Sequence, residues 1–329
     1  MHHGFFARNR WLIVLASIVL ACVPASAQQK PKKPEIVRFV FGWKPGLRIT
    51  VDSINGRQRT GQAALTSTAR HTMLTEAAGK ALRVRCIDFD IIEAPGSTRV
   101  SPEELRSVVD LLASGVPDLL VDKQGSIAGI EDVERLQETL RILIERNISP
   151  EVRKQAGPAF RQLMQMVTAP ALLEAKAGDA WNPIVGAWAE SDLEVGETYV
   201  QEQKMPLPVL PGTQLQMRSE FTVIGMEPCE RHGETRRCAV VQLRQVPEPK
   251  DLERVVEELL AKLVPAAQRK PDARLTMNIE TRTRLVTEPD GLFPHGYWME
   301  KVTEMSVTGA RADSGMKQVQ TQKVTYKYP

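Results

Sequence analysis

Two aspartates, Asp88 and Asp90, come nearest in this sequence to a pair that could do acid–base or metal chemistry. Alternate residues of a strand share a face and lie about 7 Å apart. Two carboxylates at that spacing can hold a divalent cation or act as general acid and base. The same pattern is typical of a solvent-facing patch on a strand, and that interpretation is favoured. An enzyme built on the two aspartates is kept as the alternative to a non-enzymatic protein.

The cysteines offer a second kind of chemistry. Cys229 and Cys238 flank a short polar segment that contains Gly233. In an oxidising compartment this spacing predicts a disulfide that closes a hairpin. Metal binding by the same pair is the weaker hypothesis, because His232 lies between them but no fourth ligand is evident. Cys86 is interpreted as a small buried apolar residue rather than as a nucleophile.

Other catalytic signatures are missing from the sequence. His71, His232 and His295 lie far apart, and no HExxH or other metal-spaced cluster occurs. The sequence contains no Gly-x-Ser-x-Gly elbow and no Gly-rich phosphate loop after a strand. We therefore predict no catalytic residue, no metal and no cofactor. The formal net charge of the whole chain is only +3, so a nucleic-acid partner is not expected either.

The first 27 residues have the pattern of an export signal. The basic residues Arg8 and Arg10 precede an apolar run from Trp11 to Val23. That run is shorter than the roughly 20 residues that a membrane-spanning helix needs. Ala25 and Ala27 supply the small-x-small pattern of a cleavage site.

Cleavage after Ala27 predicts a mature chain of residues 28–329 that is periplasmic or otherwise exported. The alternative is a lipoprotein that is anchored to the membrane through Cys22. No second long apolar run follows in the sequence, so we expect no transmembrane segment after signal removal.

The elements that would position these residues fall into two halves, residues 28–178 and residues 179–329, which are possibly similar to each other. Each half has long strands that are interrupted by amphipathic helices. The predicted strands are Ile36–Phe41, Leu47–Ser53, Gln62–Thr75, Ala81–Ile92, Leu119–Val121, Ser126–Ile130, Tyr199–Gln203, Gln214–Ile224, Ala239–Val246, Arg274–Thr287, Tyr297–Thr308 and Lys317–Tyr328. The predicted helices are Ser101–Gly115, Val133–Ile144, Ser149–Val167, Pro170–Ala177 and Pro249–Val264.

Four local patterns predict departures from regular structure. Apolar side chains change face within Ala81–Ile92, which predicts a bulge. Asn55-Gly56 predicts a two-residue type I′ hairpin. Pro158 predicts a kink in the helix that contains it. The prolines of segment 205–212 exclude a central strand and predict an edge, a loop or a lid.

The large apolar side chains leave two interpretations open. Trp181 and Trp188 could stack on a ligand, but packing in the core is favoured. The apolar stripes of the helices could line a groove for acyl chains, although such stripes more often dock on a sheet.

Three short segments carry a resemblance to known proteins: Phe41–Gly46, Leu120–Ile127 and Gly178–Trp181. With them, the chain resembles a class of bacterial exported proteins and lipoproteins of unknown function, built of long antiparallel strands with helices packed on them. The layout is also similar to periplasmic lipoprotein carriers, whose curved open barrel holds lipid under covering helices. The resemblance implies an α+β fold with long curved antiparallel sheets of the open half-barrel type. It assigns no functional residue.

We therefore expect an exported, non-enzymatic envelope protein that binds an apolar or lipid-like ligand on the concave face of a curved sheet. The alternative is a periplasmic protein–protein interaction or scaffold module, whose exposed strand edges pair with another envelope protein. A cavity of several hundred Å³ between helices and sheet would favour the ligand hypothesis. A closed and filled core would favour the scaffold.

Overall fold

The structure is a computed structural model. It describes residues 34–93, 115–207, 210, 213–263, 274–308 and 314–329. The predicted leader, with cleavage residues Ala25 and Ala27 and the alternative lipidation residue Cys22, lies outside the described residues. So does the predicted helix that begins at Ser101, apart from its last residue, Gly115.

Strands make up most of the described chain. In chain order they are β1 (Ile36–Arg38), β2 (Val40–Phe41), β3 (Arg48–Arg59), β4 (Leu65–Ala78), β5 (Ala81–Glu93), β6 (Asp118–Val121), β7 (Ile127–Glu131), β8 (Asp192–Glu194), β9 (Thr198–Pro206), β10 (Gln214–Arg231), β11 (Glu234–Pro247), β12 (Arg274–Glu288), β13 (Asp290–Gly291), β14 (Phe293–Thr308) and β15 (Ser314–Lys327).

The described helices are α1 (Val133–Asn147), α2 (Pro150–Val167), α3 (Pro170–Trp181) and α4 (Pro249–Leu263), and a π-helical turn (Asn182–Gly186) follows α3 directly. Each predicted strand lies on an observed strand or pair of strands, and the four predicted helices in this part of the chain lie on α1 to α4.

Eleven of the described strands form one antiparallel sheet in the order β7-β6-β5-β4-β3-β15-β14-β12-β11-β10-β9. Two small ribbons, β1 with β8 and β2 with β13, accompany it. The architecture is α+β, as predicted. Because β3 pairs with β15, strands from both sides of residue 178 are neighbours in the same sheet. The division into residues 28–178 and 179–329 stays a prediction.

The predicted hairpin at Asn55-Gly56 is wrong, because both residues lie inside β3. They pair with Gln322 and Thr321 of β15, and the chain turns only near Gly61, whose φ is +73°. A Cβ at position 56 would meet the Thr321 hydroxyl of the neighbouring strand, so the glycine accommodates close cross-strand packing rather than a turn. Ladder hydrogen bonds on both sides of β3 override the local turn preference.

The predicted bulge in β5 is present. The register between β4 and β5 shifts between Arg70 and Thr72, and Asp88 adopts a left-handed φ of 54°. The extra residue reverses the alternation of faces. Phe89 therefore stacks on His71 across the strand pair, with ring centroids 5.1 Å apart.

The kink in α2 is also present, one residue before the proline that predicted it. Gly157 has φ 43° and ψ −114°, values that break the helical hydrogen-bond pattern ahead of Pro158. The proline-rich segment begins within β9, whose last two residues are Met205 and Pro206. Among the described strands β9 lies at an edge of the large sheet, one of the placements that this composition predicted.

An aromatic cluster forms the centre of the core, and it includes Trp181 and Trp188, both fully buried. Their indole N–H groups donate to the carbonyl oxygens of Gly125 at 2.7 Å and of Pro183 at 2.8 Å. Both tryptophans therefore pack in the core, and Trp181 also lines a cavity beside it. Gly125 has φ +88°, and a Cβ there would press on the Phe41 ring, so the β6–β7 turn needs glycine for two reasons.

Among the described helices, none has the length and apolar content that crossing a membrane requires.

Candidate ligand-binding cavity

A cavity of about 600 Å³ lies between the large sheet and helices α1, α2 and α3. The sheet side is lined from β3, β4, β5, β6, β14 and β15. Most lining side chains are apolar, among them Val51, Met73, Val84, Phe89, Leu136, Leu140, Ile144, Leu172, Leu173 and Val324. Ligand pockets in proteins commonly have this size and an apolar lining.

Strand register explains why the sheet residues meet at the cavity. Val51 of β3 lies directly opposite His71 of β4 on one side and Tyr326 of β15 on the other. Val324 lies opposite Tyr297 of β14 in the same way. Directly opposed residues of antiparallel strands share a face. These side chains therefore form two neighbouring rows on the face that carries the helices.

Helical spacing explains the other side of the cavity. Leu136, Leu140 and Ile144 recur every four residues along α1, and Leu173 and Ala177 do so along α3. Leu136, Leu173 and Ala177 also belong to a small core cluster. The apolar stripes thus dock the helices and line the cavity at the same time.

Four polar side chains lie within this apolar lining: His71, Tyr297, Gln322 and Tyr326. Among the described residues, no hydrogen-bond partner exists for the imidazole, the amide or either phenol. Ser53, which also lines the cavity, donates to the carbonyl oxygen of Ala69 at 3.3 Å.

The interior of the cavity carries no charge at neutral pH. Burial raises the pKa of Tyr297 and of Tyr326, so both phenols stay protonated. Burial lowers the pKa of His71, which favours the neutral imidazole. Burial, with a smaller contribution from Asp118, raises the pKa of the Cys86 thiol to about 12. A thiol with that pKa is protonated, whereas a nucleophilic cysteine needs the thiolate.

Charge in the lining is confined to an exposed ion pair. Lys176 Nζ lies 2.8 Å from Asp179 Oδ2, and the two side chains are 69% and 56% exposed. The pair therefore lies at the solvent-facing rim of the cavity, where each charge is compensated by the other.

The structure does not bring Asp88 and Asp90 to the cavity. Both are exposed, and neither belongs to its lining. Asp88 lies 3.4 Å from Arg48, and Asp90 lies opposite Arg70 in the strand pair. A solvent-facing patch with arginine neighbours is what the favoured interpretation of this pattern predicted.

The predicted disulfide is present between Cys229 and Cys238, with an S–S distance of 2.05 Å across the β10–β11 hairpin. The histidine near the sulfur atoms is His295, which has a ring nitrogen within 4.8 Å of both. His232, which suggested the metal hypothesis, contacts the carbonyl oxygen of Pro329 instead. With both sulfur atoms in the disulfide, the group does not offer two thiolates to a metal.

A buried carboxylate, Glu288, organises the residues beside this hairpin. His295 Nε2 lies 2.9 Å from Glu288 Oε1, within hydrogen-bond geometry. Arg231 Nε also lies 2.9 Å from that oxygen, at ion-pair distance but outside hydrogen-bond geometry. The Arg231 guanidinium sits 4.0 Å from the centre of the Phe293 ring, and the Tyr328 hydroxyl donates to Pro294 O at 2.7 Å. Polar groups at this end of the sheet are therefore mostly paired.

Sequence reasoning missed the polar residues of the cavity. Val324 and Tyr326 alternate with Lys323 and Lys327, a signal that one face of β15 is buried. That signal does not relate Tyr326 to His71, because they are far apart in the chain and only strand register brings them together.

The sequence matches no protein-family model, and comparison with curated proteins finds no match. Function is therefore inferred from the chemistry of the cavity itself.

Proposed function

We propose that this protein is an exported, non-enzymatic binding protein that holds an apolar or lipid-like ligand between the sheet and helices α1 to α3. The observation that carries the proposal is the cavity of about 600 Å³ with its largely apolar lining. Apolar side chains that face water forfeit about 25 cal/mol for each Å² left exposed. A bound apolar molecule recovers that free energy, which favours binding.

The shape of the sheet is part of the proposal. We take it to curve around the ligand as an open half-barrel, as the resemblance to periplasmic lipoprotein carriers implies. Register shifts support curvature because bulges bend strands, and among the described strands they occur in four pairs: β4–β5, β6–β7, β10–β11 and β12–β14.

Export is supported by the disulfide, which is consistent with an oxidising environment outside the cytoplasm. Within the proposal the mature protein begins after Ala27 and works in the periplasm. Anchoring through Cys22 would place the same cavity at a membrane surface.

Native mass spectrometry of the protein purified from its own cells tests the proposal. We expect an adduct that organic solvent extracts as an apolar molecule. Ala177→Phe, which adds a ring at a buried position of the lining, should reduce the adduct. Val200→Phe, at an exposed position of β9, is the matched control and should leave it unchanged. A protein that carries no apolar adduct and binds no hydrophobic dye would refute the proposal.

A second candidate function is the interaction module. β9 pairs only with β10 among the described strands, and three of its apolar residues are exposed: Tyr199, Val200 and Met205. An unpaired edge with apolar side chains can accept a strand from another protein. Val200→Lys should then abolish cross-linking of the protein to an envelope partner in intact cells, while ligand retention stays unchanged.

A further inference from the structure

The polar groups of the cavity point to the chemistry of its ligand. Tyr297 and Tyr326 are 8% and 7% exposed, and neither hydroxyl has a hydrogen-bond partner among the described residues. His71 and Gln322, in the same lining, also lack one. Buried polar side chains are paired in the large majority of cases. Neither tyrosine hydroxyl is among the fully enclosed unpaired atoms of the described residues, so both reach the open space of the cavity. Polar groups without partners are an unfavourable lining for a cavity that holds only hydrocarbon.

The two tyrosines are placed to serve one group of a ligand. Tyr297 lies opposite Val324, and Tyr326 follows two residues later on the same face of the adjacent strand. Such diagonal neighbours lie about 7–8 Å apart, within reach of aromatic side chains. Tyr326 is also close enough to Tyr297 and Cys86 for both to raise its pKa electrostatically.

The lining does not suit a charged group at this depth. Phenols are protonated at neutral pH, and burial raises the pKa of Tyr297 and Tyr326 further and lowers the pKa of His71. The lining cation Lys176 is exposed and already paired with Asp179. Burying an ionised head group without a partner is strongly unfavourable, whereas a neutral acceptor gains from two phenol donors.

We propose that the cavity selects an uncharged ligand whose apolar body carries a hydrogen-bond-accepting oxygen, such as an ester or ketone carbonyl, and that Tyr297 and Tyr326 donate to that oxygen. This inference rests on the proposed function. The competing explanation is that ordered water satisfies the two hydroxyls, in which case the acceptor on the ligand gives no advantage.

Three probes of similar length separate these possibilities: methyl laurate, pentadecane and the laurate anion. Each is delivered from cyclodextrin to the delipidated mature protein at neutral pH, and displacement of a hydrophobic fluorescent dye reports affinity. We expect methyl laurate to bind about tenfold more tightly than pentadecane, the effect of two neutral hydrogen bonds. Laurate should bind more weakly than its methyl ester.

The double substitution Tyr297→Phe with Tyr326→Phe removes both donors and keeps both rings. It should remove the advantage of the ester over the alkane while leaving pentadecane affinity unchanged. Tyr328→Phe is the matched control, because it deletes a phenolic hydroxyl outside the cavity that is bonded to Pro294. The ester advantage should survive that change.

The outcomes distinguish the inference from the function on which it rests. If no probe binds, the proposed function fails and the inference fails with it. If the ester and the alkane bind equally, or if laurate binds most tightly, the cavity is a ligand site but the neutral-acceptor inference is wrong. If the double variant still binds the ester more tightly than the alkane, Tyr297 and Tyr326 are not the donors to the ligand oxygen.

Discussion

The cavity and the region beside the disulfide hairpin differ in how their tyrosine hydroxyls are paired. Beside the hairpin, Glu288 pairs with His295 and Arg231, and Tyr328 donates to a backbone carbonyl. In the cavity, Tyr297 and Tyr326 are buried to a similar degree but have no partner among the described residues. The same residue type is thus satisfied in one region and unsatisfied in the other.

If the proposed function holds, this difference separates a region organised for stability from one organised for binding. Paired polar groups lower the free energy of the fold, and their loss is felt as unfolding. Unpaired polar groups raise the free energy of the folded state, and proteins keep such unfavourable groups mainly where function needs them. Substitutions in the hairpin should therefore change stability without changing ligand affinity, and substitutions in the cavity should do the reverse.

The largest effect is expected from Glu288→Gln. The change leaves the mostly buried Arg231 without its counter-charge, and breaking such a pair typically costs about 3–5 kcal/mol. Urea denaturation should show a loss of about 3 kcal/mol in the free energy of unfolding. Glu227→Gln, which breaks an exposed pair with Arg284, should cost less than about 1 kcal/mol. Equal losses of unfolding free energy in the two variants would contradict the distinction between the buried and the exposed ion pair.

Removal of the disulfide should have the next largest effect. The bond joins residues nine positions apart, and closing a loop of about ten residues stabilises by about 2–3 kcal/mol in the chain-entropy model. The Cys229→Ser, Cys238→Ser double variant should lose that amount in urea titrations and still bind methyl laurate with unchanged affinity. A parallel loss of affinity would show that the hairpin and the cavity are coupled.

A pair of identical substitutions compares the regions directly. Tyr328→Phe leaves the Pro294 carbonyl without its donor and should cost about 1 kcal/mol of stability. Tyr297→Phe removes a hydroxyl that has no partner among the described residues, so it should leave stability unchanged or raise it. Thermal and urea denaturation of the ligand-free proteins measure both. The comparison fails if Tyr297→Phe is the more destabilising change.

The smallest effect is a pH dependence of stability that comes from His71. Burial lowers its pKa in the folded state below the usual 6.5. The unfolded chain therefore binds the proton first, and stability falls as the pH drops below 6.5 until the folded-state pKa is reached. His71→Phe removes this contribution, so its unfolding midpoint should decline less than that of the wild type between pH 7.5 and pH 5.5 (about one unit either side of the ordinary histidine pKa). Identical declines would show that His71 is solvated.

The site was harder to predict than the fold. Strand positions, the bulge in β5, the kink in α2 and the Cys229–Cys238 disulfide follow from patterns within short segments, and each is found in the structure. Asn55-Gly56 is the instructive error. A strong local turn signal lost to pairing with β4 and β15, which no local pattern contains.

The amino-acid sequence by itself determined which segments form strands and helices and which face of each is apolar, because side-chain periodicity and turn chemistry act over a few residues. Only the tertiary structure decided that β15 lies between β3 and β14 and that His295 rather than His232 approaches the disulfide. It also decided that Tyr297, Tyr326 and His71 meet at one cavity. Those contacts join residues far apart in the chain, and strand register, set by burial across the whole sheet, selects them.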